Sequence, residues 1–573
     1  MSGRRTSEAA APPPGAGPDE TGARWSLGAY RGAVDARLAA WTSSDAAGKV
    51  WRKEPSLWPD APASDVTSRL GWLWAPEQGV ASLPELTQFV AEVVEDGIEH
   101  VVVLGMGGSS LAPEVLGQIL PRARHHPDLT VLDVTHPAAV RAVADRIPAD
   151  TTLFVVSSKS GTTLEPNAFF RFFWERVGRR TEAPGRHFVA ITDPGTPLEK
   201  LAADRRFRRC FSAPPEVGGR YSALTVFGLV PAALVGGDVA GLLASARGMV
   251  ARCTEAKDAA RHPGLRLGAV LGELGRAGRD KVVFVPSPRM RPFPTWTEQL
   301  IAESLGKRGR GLVPVATVRT AAEIPSSLDV LLVHVTLHGE RETAVRRALA
   351  ARAAAGVPVV DLELGSPLDL GREFFRWEFA IAVCGAVLGV DPFDQPDVEH
   401  AKELARRAMD PTAPKPTSAP YGVPVDDGLA GPLAEWLASV APGDYVAVQA
   451  FLAPSAATDA ALERLVTALR EQTGTVVTCG YGPRFLHSTG QLHKGGPPSG
   501  VFLQIVDEPS EDLPVPELGL SFGRIVRAQA EGDRGALEEK HRRLLVVNAG
   551  PRAAAGLDAI ARGVGAPAKP GAG

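Results

Sequence analysis

The strongest constraint on this chain is a repeated alternation of short, apolar, β-rich runs with helix-length segments. Val101-Val-Val-Leu104, Val131-Leu-Asp133, Leu153-Phe-Val-Val156 and Phe188-Val-Ala-Ile191 form a first set. Runs apolar on both faces belong in sheets covered on both sides, and helix-length spacers between them impose parallel, crossover connections. A second set follows: Val282-Val-Phe-Val285, Val313-Pro-Val-Ala316, Val330-Leu-Leu-Val333 and Val359-Val-Asp-Leu362. A third has fewer members: Val446-Ala-Val-Gln449, Val476-Val-Thr478 and Val501-Phe-Leu-Gln-Ile505. The predicted class is α/β, with two parallel-sheet domains of similar plan and a smaller C-terminal α/β unit.

At 573 residues the chain is too long for one core. The expected division is a Pro/Gly/Ala-rich disordered tail over 1–24, a first domain with a helical N-terminal segment over 25–260, and a second domain over 261–410. A Pro-rich linker over 411–432, the C-terminal unit over 433–550 and a tail over 551–573 complete it. The span 222–235 is apolar all round and reads as a buried helix kinked at Pro231, and 374–388 reads as a second buried helix. Apolar content of 44% with 22% charge fits a globular chain, and a net charge of −3 gives no electrostatic case for nucleic acid or an anionic membrane. No run of about 18 apolar residues appears, and the Arg4-Arg5 start leads into Ala, Pro and Gly, so neither a membrane span nor a leader peptide is expected. Cys210, Cys253, Cys384 and Cys479 lie far apart without a CxxC pair. They argue for a reducing cytoplasm and against a disulfide framework or a zinc site.

The chemistry concentrates where strands give way to helices. After the run ending at Val156 come Ser157, Ser158, Lys159, Ser160, Gly161, Thr162 and Thr163, then Phe169, Phe170, Phe172 and Phe173 on a helix. A helix entry offers free N–H groups and a favourable dipole to an anion, and hydroxyls add donors. One or two hydroxyls would serve as an ordinary helix cap; five with a lysine point to phosphate. Gly105-Met-Gly-Gly-Ser-Ser110 follows the first run, and a glycine turn lets backbone N–H groups approach a ligand. As a dinucleotide fingerprint it lacks the third glycine, although Asp133 could mimic the ribose-binding acid. A sugar phosphate held between the two turns accounts for both.

Further along, Gly218-Gly-Arg-Tyr-Ser222 places Arg220 at the entry of a buried helix. Such an arginine usually pairs with a surface carboxylate; two preceding glycines favour a ligand instead. Thr295-Trp-Thr-Glu298 has the form of a capping box. On the helix it opens, Gln299 and Glu303 share one face, and Gly306 ends it. Glu303 is a candidate general base, with a solvated surface glutamate as the alternative. Asp391-Pro-Phe-Asp-Gln-Pro forms a rigid turn before a helix bearing Lys402. The stretch Phe485–Lys494 offers His487 and His493, each more commonly structural than catalytic.

Taken in order, these stretches resemble glucose-6-phosphate isomerase, most closely the short bacterial forms and the isomerase half of transaldolase–isomerase fusions. The resemblance covers most of residues 60–410 and a short piece near 487; no transaldolase activity is expected. It implies two phosphosugar-isomerase (SIS) domains, each a flavodoxin-like sheet, and neither metal nor cofactor. It implies Ser158, Lys159, Ser160 and Thr163 as the phosphate cradle, and Gly108, Ser109 and Gln299 as sugar contacts. Glu303 resembles the base carrying a proton between C2 and C1, and Arg220 the group stabilising the enediolate. Lys402 and His487 resemble the ring-opening pair. In the family the histidine lies between the glutamate and the lysine and comes from the partner subunit of a homodimer. Here it follows both, in the extra C-terminal unit, so delivery in cis by a monomer is the alternative. Competing readings are an isomerase of another phosphosugar and a non-catalytic SIS-type regulator.

Overall fold

The computed structural model of the protein describes residues 21–398, 403, 404, 407 and 421–565. Lys402 and most of the proline-rich linker lie outside the described residues. The first strand, β1 (Ala23–Ser26), includes two residues assigned above to the N-terminal tail. Strands β2 (His100–Leu104), β3 (Asp128–Leu132), β4 (Thr152–Ser157), β5 (Phe188–Thr192) and β6 (Arg209–Ser212) make a parallel sheet in the order β3-β2-β4-β5-β6. Central strand β4 is buried along its whole length, as its continuous apolar run requires.

The second sheet holds β7 (Lys281–Pro286), β8 (Val313–Val315), β9 (Val330–Leu337) and β10 (Val359–Leu364) in the order β8-β7-β9-β10. Its far edge is β1, which pairs antiparallel with β10 from Ala23 opposite Leu362 to Ser26 opposite Val359. The N-terminal segment, assigned above to the first domain, thus begins by completing the second sheet.

The C-terminal unit is larger than the sequence implied. It contains β11 (Val423–Pro424), β12 (Tyr445–Phe451), β13 (Val476–Tyr481), β14 (Gly500–Val506), a two-strand hairpin of β15 (Pro514–Val515) and β16 (Leu520–Ser521), and β17 (Arg543–Asn548). Its parallel sheet runs β13-β12-β14-β17-β11. In all three sheets the first long strand lies between the second and third, so the chain carries three versions of one doubly wound plan. The segment 551–573, read as a tail, contains the helix Ala553–Gly565, whose Leu557, Ile560 and Val564 are buried in this unit's core.

The unit is fastened to both others. Lys281 Nζ donates to Gly443 O at 2.6 Å and Thr317 Oγ1 to Val477 O at 2.7 Å, while His136 Nε2 lies 3.0 Å from Asp507 Oδ1. Among the described residues no helix is long and apolar enough to cross a membrane. No group of His, Cys, Asp and Glu among them could hold a metal ion.

Candidate active site

In a doubly wound sheet, ligands gather at the carboxyl ends of the strands where the order reverses. In the first sheet that point lies between β2 and β4, and the register sets Leu104 opposite Val156. The glycine turn and the hydroxyl loop therefore leave the sheet side by side. They form one wall of a cavity of about 580 Å³.

The hydroxyl loop is held by its own hydrogen bonds. Ser158 Oγ lies 2.9 Å from Thr163 Oγ1, and Ser160 Oγ 2.9 Å from Thr162 Oγ1. Gly161 bends it with φ +67°, where a Cβ would come within 2.8 Å of Leu198 N. The helix that follows, Leu164–Gly178, begins at Thr163 with no side-chain cap, so its N-terminus is not closed off by that residue. Lys159 Nζ sits 2.5 Å from Asp193 Oδ2 and donates to Pro215 O at 3.1 Å. Its burial lowers the ammonium's pKa, against the opposing pull of Asp193.

The glycine turn meets a second backbone. A Cβ on Gly108 would lie 1.9 Å from Gly219 O, and one on Gly107 would lie 2.7 Å from His487 O. Only glycine permits this approach, which brings the Gly218–Ser222 turn, and Arg220 with it, to the cavity. We expect Gly108→Ala to force the two turns apart, at a cost of roughly 1–3 kcal/mol. Its thermal midpoint and its turnover should both fall; an unchanged midpoint would contradict the close approach.

Arg220 is 2% exposed. It donates through Nε to Ser304 Oγ at 2.7 Å, through Nη1 to Gln395 Oε1 at 2.6 Å, and through Nη2 to Pro392 O at 2.7 Å and Asp394 O at 3.0 Å. Nη1 also lies 3.7 Å from Glu303 Oε1. The arginine thus locks the 391–395 turn and faces the glutamate at once. Lys307, just past the end of the helix that carries Glu303, secures the same turn. Its Nζ donates to Asp391 O, and to Asp394 O at 2.6 Å, and pairs with Asp394 Oδ1 at 2.7 Å. Burial and the neighbouring Arg220 push this ammonium down to about 8.

Glu303 and Gln299 enter from the helix Phe293–Leu305 of the second domain. Gln299 Nε2 donates to Glu303 Oε2 and to His487 O, both at 3.0 Å. Gln299 Oε1 accepts nothing from the described residues, although it is buried. The expected capping box does not form. The helix starts at Phe293, and Thr295 Oγ1 donates to Pro292 O at 2.8 Å instead of accepting from Glu298. Glu298 turns away from this cavity, and burial raises its carboxyl to about 7.

The third unit supplies His487 at the end of the turn Arg484–His487. Its Nε2 lies 3.0 Å from Glu165 Oε1, which also accepts from Gln529 Nε2 at 2.6 Å. In the sequence Glu165 stands out only as the end of the hydroxyl stretch; His487 and Gln529, which it meets here, lie more than 300 residues away. His493 lies outside this cavity. It packs between the rings of Phe485 and Phe502, and burial holds its imidazole well below the usual histidine range. Asp133 is likewise occupied, paired with Arg484 Nη1 at 3.2 Å, and so cannot serve as a ribose acid.

Gly108, Ser109, Ser158, Lys159, Ser160, Thr163, Arg220, Gln299, Glu303 and His487 all line the one cavity. Of the residues read from the sequence, Lys402 alone is not described. The cavity combines a helix-entry anion cradle, a carboxylate beside a guanidinium, and a carboxylate-held imidazole. That set can hold a phosphorylated polyol and move protons on it.

Residues 89–320 match a family model described as phosphoglucose isomerase. The glucose-6-phosphate isomerase of Rubrobacter xylanophilus is 34% identical over 377 residues, covering 56% of this chain and 85% of that protein. That of Leptospira interrogans is 30% identical over 380 residues, covering 58% and 85%. Among solved structures, a hypothetical protein from Thermus thermophilus superposes with a TM-score of 0.58 at 26% identity, covering 68% of this chain and 99% of that one.

Proposed function

The chain belongs to the phosphoglucose isomerase family, and on that premise we propose that its cavity interconverts glucose 6-phosphate and fructose 6-phosphate with Glu303 as the proton-carrying base. The observation that carries this reading is the meeting of Glu303, Arg220, the hydroxyl loop and His487 around one cavity.

The 6-phosphate binds at Ser158, Ser160, Thr163 and the helix entry behind them, with Lys159 adding charge at the rim. His487 is the ring-opening group. As the C1–O5 bond of the pyranose breaks, a proton arrives on O5 and one leaves the anomeric hydroxyl. Glu165 fixes the imidazole for this exchange. Lys402, on the family resemblance, is its ring-opening partner. Glu303 then removes the proton from C2 and returns it to C1. Its two oxygens are oriented by Gln299 and Arg220, so it needs no rearrangement to reach either carbon. The charge that develops on the enediolate oxygens falls beside Arg220 Nη1, one hydrogen of which is not donated within the 391–395 turn. Electrostatic stabilisation of this kind is worth several kcal/mol when the donor is fixed in advance.

His487 reaches the cavity from the same chain as Glu303, so we propose that the ring-opening histidine is delivered in cis and that a partner subunit is not required to supply it. The test is a coupled assay of glucose 6-phosphate formation from fructose 6-phosphate. Turnover supports the isomerase. Binding without turnover would favour a regulator, and faster turnover of a different phosphosugar would favour another isomerase.

A further inference from the structure

His487 is placed by a four-residue turn that itself needs holding. The turn Arg484–His487 belongs to the third unit, but its first residue reaches into the first domain. Arg484 Nη2 pairs with Glu114 Oε2, and Nη1 lies 3.2 Å from Asp133 Oδ2. Glu114 is on the helix Leu111–Ile119, which leaves the glycine turn, and Asp133 directly follows β3. One guanidinium therefore ties the histidine turn to the helix that leaves the Gly105–Ser110 wall and to the end of β3, the strand beside β2. The Asp133 side chain is 5% exposed, so its charge is strongly dependent on this partner. Arg484 itself faces a separate cavity, on the side of the turn away from Glu303.

We propose that Arg484 is a positioning residue for ring opening: it sets the His487 imidazole against the sugar ring by clamping its turn to Glu114 and Asp133. The clamp is geometric as well as electrostatic. Two carboxylates on different elements are met by two nitrogens of one planar fork, which a lysine ammonium cannot reproduce. Among the described residues the His487 side chain has one hydrogen-bond partner, Glu165, so the placement of its ring depends on the placement of its backbone as well as on that contact. A displacement near 1 Å costs about 10²-fold when a reacting group must meet a particular atom.

This inference rests on His487 being the ring-opening group, and the experiment separates the two. Opening and reclosing the ring interchanges the anomers of glucose 6-phosphate without any proton leaving C2. Anomer exchange measured by NMR in a Glu303→Gln chain therefore reads ring opening alone. Adding Arg484→Lys or Arg484→Gln is expected to slow that exchange about 10- to 100-fold. Affinity for fructose 6-phosphate, which the hydroxyl loop sets, is expected to stay within about twofold. Glu114→Gln should slow exchange in the same direction, and combining it with Arg484→Gln should add little. If His487→Ala abolishes exchange while both Arg484 variants leave it unchanged, the positioning role is overturned and the role of His487 stands. If His487→Ala also leaves exchange unchanged, both fail. Loss of affinity and exchange together in both Arg484 variants would mean a general structural role and would equally overturn the proposal.

Discussion

A chain carrying Glu303→Gln is expected to bind fructose 6-phosphate and turn it over about 10²- to 10⁴-fold more slowly, the range that a single general base supplies. The substitution preserves size and leaves an amide oxygen that still accepts from Gln299 Nε2, now at 3.0 Å from Glu303 Oε2. The phosphate cradle is on the opposite wall, formed by a different sheet, and is not touched. The loss should therefore fall on kcat with little change in affinity, as for an interaction used only in the reaction. Removing the carboxylate also takes away the anion that faces Arg220 Nη1 at 3.7 Å. That guanidinium keeps its four hydrogen bonds to neutral acceptors, so the fold should survive. Turnover within a few-fold of the unaltered chain would show that another group carries the proton.

Arg220→Met is expected to fail in a different way, by unfolding more easily as well as by losing turnover. The guanidinium joins the first domain to the second, through Ser304, and to the 391–395 turn, through Gln395 and the carbonyls of Pro392 and Asp394. A methionine of similar length donates to none of these. Asp394 O retains Lys307 Nζ at 2.6 Å and Pro392 O retains Tyr221 Oη at 3.4 Å, which limits the damage. Losing a buried, multiply hydrogen-bonded cation typically costs about 3–5 kcal/mol, and here the lower end of that range is expected. Urea titration reads this directly. Arg220→Lys should not restore it, since one ammonium cannot reach acceptors arrayed along a planar fork. A loss below about 1 kcal/mol would mean that the turn is held by Lys307 alone.

The parts of the fold that were legible in the sequence are those built from continuous apolar runs. Central strands such as β4 and β14 are buried on both faces, so most of their positions are apolar and the runs Leu153–Val156 and Val501–Leu503 announced themselves. Edge strands were not legible. In β6, Arg209-Cys-Phe-Ser212, only Phe211 is buried, and β1 pairs along one side only, with a partner more than 300 residues away. The third sheet was recognisable as α/β, but its kinship with the other two rests on β12 lying between β13 and β14, which is a matter of pairing and not of local pattern.

The site divides similarly. The hydroxyl loop, the glycine turns, Arg220, Gln299 and Glu303 are carried by short contiguous stretches, and each of those stretches reaches the cavity. Glu165 and Gln529 hold His487 in place, yet they stand 364 residues apart, and nothing local marks either one. Thr295 to Glu298 had the spacing of a capping box but lies inside the helix, because the helix starts at Phe293, with Pro294 in its first turn, three residues before the start that the box implies. His487 and His493 were alike by residue type alone, and only the resemblance singled out His487. Packing separates them, since one faces the cavity beside a carboxylate and the other is enclosed by aromatic rings.

The central claim is that three units of one chain complete a single isomerase site, and mixing two inactive variants tests it most directly. Glu303→Gln and His487→Ala chains, each inactive alone, are expected to stay inactive when combined at any ratio, because each chain would need its own glutamate and its own histidine. Recovery of about a quarter to a half of the activity per site would contradict the account, since only a histidine delivered by a neighbouring chain could restore a site whose own histidine is gone.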